Sequence, residues 1–352
     1  MSGTKLRFDG LRFPGEWEPQ AAILLAWPHA QTDWAERLES VEANYSALIG
    51  AITRFQPVLL CVADEALRKH AVDRLAGSGT QMERVRFAIV EYDDTWLRDT
   101  GPITLCGEDG FVLLDFRFNA WGEKYAAGRD DRLVESLFAQ NAFTAGRRER
   151  VEFTLEGGSV ETDGRGTMLS TWQCLHKRHP GVSRKQLSEK LCEYLHQDRV
   201  LWLDYGYLQG DDTDAHIDTL ARFASPTSIV YQGCDDDDDT HFEELRAMAV
   251  ELAGMRTVDD RPYVLFELPW PQPIHDEGSD VGRRLAASYA NFLIVNGAVL
   301  MPAYDDPADA RAAAILAQAF PDREIVPIPC RSLIWQNGSL HCLTMQLPKG
   351  VL

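Results

Sequence analysis

The chain reads as an α/β protein. Three observations point there: short apolar runs of strand length recur along it, segments with apolar residues at helical spacing lie between them, and turn signals separate the two kinds. Regular alternation of this sort predicts mixed layers of helix and sheet. No Pro/Ser-rich linker or low-complexity tract marks a boundary, and 45% of the 352 residues are apolar, enough for a large core. No internal repeat is visible by eye, although the recurring order of strand, loop and helix is compatible with several modules of one type.

The elements follow in order. "AAILLAWP" (Ala21–Pro28) reads as a buried strand, followed by helical spacing in "WAERLESVEANYSALIGAIT". "PVLLCVAD" is a second strand, and "EALRKHAVDRLAG" a helix ending at glycine. "VRFAIVEY" and "FVLLDFRFN" are strands on either side of the loop "DDTWLRDTGP". "TMLSTWQCL" and "RVLWLDYG" are strands with the helix "SRKQLSEKLCEYLH" between them, and "SIVYQGC" leads into a helix that opens on the acidic run Asp235 to Asp239. In "NFLIVNGAVLMPAY" the dipeptide Asn296-Gly297 predicts a two-residue hairpin turn. "DPADARAAAILAQAF" is a helix, and "EIVPIPC" and "SLHCLTMQ" are read as the closing strands.

Composition narrows the function. A net charge of −19 argues against nucleic acid, because phosphate binding needs a basic face. It suits solubility and attracts cationic small molecules. The seven cysteines form no CxxC pair, which fits a reducing compartment. The first residues show no apolar signal segment, and no run is long enough to span a membrane, so a cytoplasmic protein is expected. A homo-oligomeric state is left open.

Four stretches carry chemistry. In "DDTWLRDTGP", Asp99 could hold a planar cation by paired hydrogen bonds with Trp96 stacked on it, or serve as a turn residue paired with Arg98. In "GDDTDAHIDTLARF", His216 and Asp218 would share a face if the segment were a strand. They suit acid/base work, a metal site completed by Asp212 and Asp214, or a solvated loop. Glu156 in "LEGGS" could orient a histidine or belong to a plain turn. Cys342, next to His341, is either a small buried hydrophobe or a nucleophile served by a distant histidine.

Taken together and in order, "WLRDTGP", "FNAWGEKY", "LEGGS", "DDTDAHIDTLARF", "SYANFLIVNGAVLMP" and "NGSLHCLTMQ" resemble the agmatine deiminase and bacterial-type peptidyl-arginine deiminase family, part of the guanidine-modifying pentein superfamily. The resemblance spans nearly the whole chain. It implies one pentein catalytic domain over residues 1–352, an α/β propeller of five ββαβ-like modules around a pseudo-fivefold axis. It implies Cys342 as nucleophile, His216 as general acid/base, Asp99 and Asp218 as guanidinium-binding carboxylates, and Glu156 as the group orienting the histidine. Trp96, Asp212, Asp214 and Asn291 are expected around the substrate. The implied reaction is hydrolysis of a cationic guanidine through a covalent thiouronium, with no metal or organic cofactor. Agmatine is the expected substrate, and arginine or peptidyl-arginine the alternative. Two departures stand out: "WQNGS" precedes the HC where many members carry a glycine run, and "STWQCLHKRHP" replaces "TTEQCLLNPNRNP". A reading of another class is a metal-dependent hydrolase or binding protein built on His216 and Asp218.

Overall fold

The computed structural model describes residues 10–278 and 282–352; the first nine residues of the N-terminal stretch considered above lie outside it. Its strands form five separate sheets in a mixed α/β fold. Four of the sheets share one plan. An antiparallel pair is followed by a crossover and a third strand parallel to the second. The four are Ile103–Gly107, Gly110–Arg117 and Arg147–Thr154; Glu161–Thr162, Thr167–Thr171 and Arg199–Leu203; Ala221–Ser225, Ser228–Gln232 and Val264–Leu268; and Leu293–Val295, Ala298–Ala303 and Glu324–Pro329.

The fifth sheet joins the two ends of the chain. Met345–Pro348 lies antiparallel to Gln20–Ala26, which runs parallel to Val58–Val62, and that strand to Val85–Ile89. The parallel pairs need helical crossovers, and the helices supply the second layer. Leu38–Phe55 buries Val41, Tyr45, Leu48, Ile49 and Ile52 on one face, at helical spacing. Arg184–Leu195 starts at a capping box in which Ser183 and Gln186 satisfy each other's backbone N–H groups. The predicted hairpin forms: Val295 pairs with Ala298 across Asn296-Gly297, and Gly297 takes a φ of +80° that a side chain would resist. Among the described residues, no helix is long and apolar enough to cross a membrane.

Four local expectations are corrected. "TMLSTWQCL" is a strand only to Thr171, and Trp172–Arg178 is helical. A short apolar run reads equally well in either period, and here Trp172 packs on Trp202 and His176. The acidic run opens no helix: the helix begins at Phe242, while Asp239 instead accepts from Trp270 and Arg284. His216 and Asp218 are not on a strand, because Ile217–Thr219 is a single 3₁₀ turn. Finally, Ser339–Thr344 is a turn, with the strand starting only at Met345. Its backbone has no ladder partner, and the side-chain oxygen of Asn291 takes the N–H groups of His341 (3.0 Å) and Cys342 (3.4 Å) instead.

Candidate active site

Six of the residues singled out above sit a few positions ahead of an edge strand of a sheet. Asp99 lies in the short helical turn Leu97–Thr100 before Ile103–Gly107, and Glu156 precedes Glu161–Thr162. His216 and Asp218 precede Ala221–Ser225, Asn291 precedes Leu293–Val295, and Cys342 precedes Met345–Pro348. These five junctions meet. The Arg98 N–H donates to the Cys342 carbonyl (3.2 Å), and the Gly158 N–H to Asp99 Oδ1 (2.9 Å). Asn291 Nδ2 donates to Cys342 Sγ (3.2 Å), and the Cys342 thiol donates to Asp218 Oδ2 (3.5 Å).

Gly158 is the residue around which they gather. A Cβ placed there would stand 2.6 Å from His216 Nδ1, 2.9 Å from Asp99 Oδ1 and 3.2 Å from Asp218 Oδ2. The absence of a side chain therefore lets three polar groups converge. Around this point, Glu156 Oε2, both ring nitrogens of His216 and Asp218 Oδ1 are buried without a hydrogen-bond partner among the described residues. Buried polar atoms are normally paired; here Glu156 Oε2 and His216 Nε2 face each other at 3.6 Å and His216 Nδ1 faces Asp99 Oδ1 at 3.8 Å, ion-pair contacts too long for hydrogen bonds.

A cavity of about 230 Å³ opens onto Cys342 and Asp99. Trp96, Phe118 and Trp121 give it aromatic walls. Asp33, Asp93, Asp94, Asp130 and Asp212 line it as well, and no arginine or lysine does. Burial pushes Asp94 up to about 7 and Asp130 up to about 8, so a cation entering here would meet carboxyls ready to ionise.

The groups hold one another in defined charge states. Burial pushes the Cys342 thiol well above its ordinary value, and the carboxylates of Asp218 and Asp99 add to the effect. Burial acts against a charged His216, but Asp99, Cys174 and Glu156 outweigh it and hold the imidazole pKa well above the usual range. Glu156 stays below its ordinary value: burial opposes this, and His216 with Arg178 overcomes it. Arg178 Nε reaches Glu156 Oε1 at 2.6 Å, while Glu156 Oε2 lies 3.6 Å from His216 Nε2. Burial drives Asp99 up to about 6, with Asp218 and Glu156 adding to the rise and His216 opposing it.

The peripheral expectations fare unevenly. Trp96 and Asp212 line the cavity. Asp214 does not; its carboxylate is held by Lys124, Lys177 and Arg178, which drive its pKa far down despite burial. Asn291 does not line the cavity either, and neither do His216, Asp218 and Glu156, which are buried next to the lining residues Asp99 and Cys342; the Asn291 amide braces the Cys342 turn. Asp99 is not paired with Arg98. That guanidinium goes to Glu16 (3.0 Å), and Arg222 binds Glu16 (2.6 Å) and Glu161.

The metal reading required His216, Asp218, Asp212 and Asp214 together, and the cations on Asp214 remove it from that set. Among the described residues, two buried groups have metal-ligand character: Glu156, Cys174 and His216, and Glu16, Glu161 and His341. Arg178 occupies the first group, and Arg98 and Arg222 the second.

Two residues were missed. Trp121 donates its indole N–H to Asp99 Oδ2 (2.9 Å) from a loop in which Ala120, Trp121, Gly122 and Glu123 all have positive φ. Gly158 was the other. A glycine pair after a carboxylate was a signal of close approach, but the sequence could not say what approached.

A mixed α/β fold that gathers a cysteine, a histidine and three carboxylates beside an acidic, aromatic cavity defines a class of cysteine-containing site suited to a planar cation. Comparison with known proteins gives the family. Residues 12–348 match the Porphyromonas-type peptidyl-arginine deiminase family, to which the chain belongs. It is 35% identical to an agmatine deiminase of Pseudomonas aeruginosa, over 97% of this chain and 96% of that protein. A solved cysteine-to-serine variant of C. jejuni agmatine deiminase with substrate bound superposes with a TM-score of 0.89 at 33% identity, covering 99% of this chain and 100% of that one. A Porphyromonas gingivalis protein assigned as an arginine deiminase superposes with a TM-score of 0.89 at 43% identity, over 97% and 99% of the two chains.

Proposed function

We propose that the protein hydrolyses the guanidinium of agmatine to N-carbamoylputrescine and ammonia, with Cys342 as nucleophile. The observation that carries this reading is the meeting of Asp99, His216 and Asp218 around Gly158, next to Cys342, which with Asp99 lines a cavity of carboxyls; among the described residues no arginine or lysine lines it, although Lys124 pairs with Asp212. In this reading the five sheets are modules of a propeller around a pseudo-fivefold axis, each delivering one loop to the centre. The whole chain is one catalytic unit. Seven free cysteines favour a reducing, cytoplasmic setting.

Asp99 and Asp218 bind the guanidinium nitrogens and fix its carbon over the sulfur. The bound cation offsets the carboxylates that keep Cys342 a thiol, so once substrate is in place the thiol releases its proton to solvent in the cavity and the thiolate forms. Sulfur attacks the central carbon, and His216, charged at rest, gives its proton to the departing nitrogen. The C–N bond breaks to leave ammonia and a thiouronium. Water then attacks the same carbon and passes a proton to His216. The C–O bond forms, the C–S bond breaks, the second water proton replaces the one the thiol released, and the ureido product leaves. Glu156 stabilises the charged histidine in both steps.

The acidic cavity favours agmatine, which has an ammonium at its far end, over arginine, which brings a carboxylate. Arg98 and Arg222, the two arginines nearest in sequence to the proposed site residues, are committed to Glu16 and Glu161. A side-by-side measurement of ureido-product formation from agmatine, arginine and an arginyl peptide tests the reading. Agmatine should have the highest kcat/KM, and Cys342→Ala should abolish turnover while the melting temperature is kept. Comparable turnover of arginine would overturn the substrate assignment. Residual activity in Cys342→Ala would overturn the nucleophile.

A further inference from the structure

Behind the site lies a buried chain of hydrogen bonds that the reaction above does not use. His341, the residue before Cys342, has Nδ1 2.7 Å from Asp218 Oδ2 and Nε2 2.9 Å from Glu16 Oε1. Its ring is 0% exposed, and Asp218 is equally buried. Glu16 comes from the far N-terminal segment. It is held in turn by Arg98 Nη1 (3.0 Å), Gln346 Nε2 (3.1 Å) and Arg222 Nη2 (2.6 Å). The main chain of the same turn is pinned too: the His341 N–H donates to Asn291, and Arg98 Nε donates to the His341 carbonyl (3.4 Å). The imidazole therefore has one orientation available, between two carboxylates.

That orientation has a consequence for Asp218. Its Oδ2 lies 2.7 Å from His341 Nδ1 and beside Cys342 Sγ, whereas its Oδ1 is buried with no hydrogen-bond partner among the described residues. A carboxylate held through one oxygen cannot rotate, so the other is presented in a fixed direction. We propose that His341 is the positioning residue for Asp218: its Nδ1–H clamps Oδ2 so that Oδ1 is offered to the guanidinium, and Glu16 braces the ring from behind. Because His341 and Cys342 are chain neighbours, a single turn sets both the attacking sulfur and the carboxylate that aligns its target. The ring joins the two carboxylates through these contacts, so the trio acts as one unit and a change at either end is felt at the other. This inference rests on Asp218 as a guanidinium ligand.

The test uses two amide replacements that differ in which ring nitrogen they imitate. In His341→Asn the amide nitrogen falls near the Nδ1 position and can still donate to Asp218. In His341→Gln it reaches toward the Nε2 position, and the donor to Asp218 is lost. The Asn variant should lose no more than about tenfold in kcat/KM for agmatine, and the Gln variant on the order of a hundredfold. Most of that loss should lie in KM, and in agmatine affinity measured by calorimetry on a Cys342→Ala background. The two variants should melt alike. Should the Gln variant fail to fold, His341→Leu, of similar bulk and without a donor, should show the same loss. Equal activity in the Asn and donor-free variants overturns the proposal, whether both are impaired or both intact. Asp218→Asn separates the two layers of the argument. If it binds agmatine as the parent does, the ligand assignment fails. If it loses binding while His341→Gln keeps it, only the positioning role falls.

Discussion

Asp99 carries its function as a cost to the fold. Its carboxyl is fully buried near Asp218 and Glu156, and its pKa is raised to about 6. In the unfolded chain it returns to the ordinary value near 4. Between those values the folded state binds more protons than the unfolded one, so this residue's contribution to stability falls as pH rises through the window. Asp99→Asn removes the charge. It should stabilise the protein by roughly 1–3 kcal/mol at neutral pH, with the gain fading toward pH 4, while activity collapses. One of the two donors on Asp99, Trp121 Nε1 or the Gly158 N–H, must then face an amide NH₂, which trims the gain. Urea denaturation of both proteins at pH 7.5 and 4.5 reads the difference; a mutant less stable at both would show that the ionised carboxylate is compensated in the folded state. The same scale shows what a sequence can disclose. His216, Asp99, Asp218 and Glu156 are ionisable residue types in polar stretches, and that was legible, whereas their roles, and Cys342 in what read as an apolar strand, were singled out only by the family resemblance. Glu16 was not, because its place beneath the site depends on contacts with Arg222 and His341, both remote in the chain.

At the scale of elements, the site is a product of junctions. Many strands and most helices could be read from periodicity, and the Asn296-Gly297 hairpin from its turn chemistry, but Ile103–Gly107, Glu161–Thr162, Ala221–Ser225 and Val264–Leu268 were not read. The junctions could not, since they lack a period and their backbone groups are satisfied by side chains: Asn291 for the Cys342 turn, Asp211 for Thr213 and Ala215 ahead of His216. Extending "SLHCLTMQ" as a strand followed from its apolar alternation, and the Asn291 amide is why the chain turns there instead. The recurring sheet plan was hidden for a related reason: it resides in pairing, which tolerates any apolar residue of fitting size. The junction at Glu156 gives a direct test. Gly158→Ala adds one methyl where three polar groups converge, 2.6 Å from His216 Nδ1 and 2.9 Å from Asp99 Oδ1, so these buried side chains must shift to admit it. It should lower kcat/KM by about a hundredfold or more, a misplacement effect of the kind expected when reacting groups shift by an ångström. Thermal stability should fall far less than activity. Near-normal turnover would mean that the groups do not need to converge.

For the whole molecule, charge is the property that reaches beyond the site. The formal net charge is −19, and Asp33, Asp93 and Asp212 line the same cavity as Cys342. A low-dielectric cleft of one sign focuses its field and raises the local concentration of an opposite charge. Salt shortens the reach of such a field, from about 10 Å at 0.1 M to about 3 Å at 1 M. Capture of a cationic substrate should therefore weaken with ionic strength, while the chemistry of the bound complex, shielded by burial, should not. The expectation is a fall of several-fold in kcat/KM for agmatine between about 0.05 and 0.5 M NaCl, with kcat at saturation unchanged. A pair of Cys342-directed alkylators isolates the field from turnover. A cationic amidine reagent should lose its rate advantage over neutral iodoacetamide as salt rises, and the neutral reagent should be indifferent. If both reagents respond alike, or if kcat/KM is flat, the acidic surface serves solubility alone and the preference for a cation arises entirely at the contacts with Asp99 and Asp218.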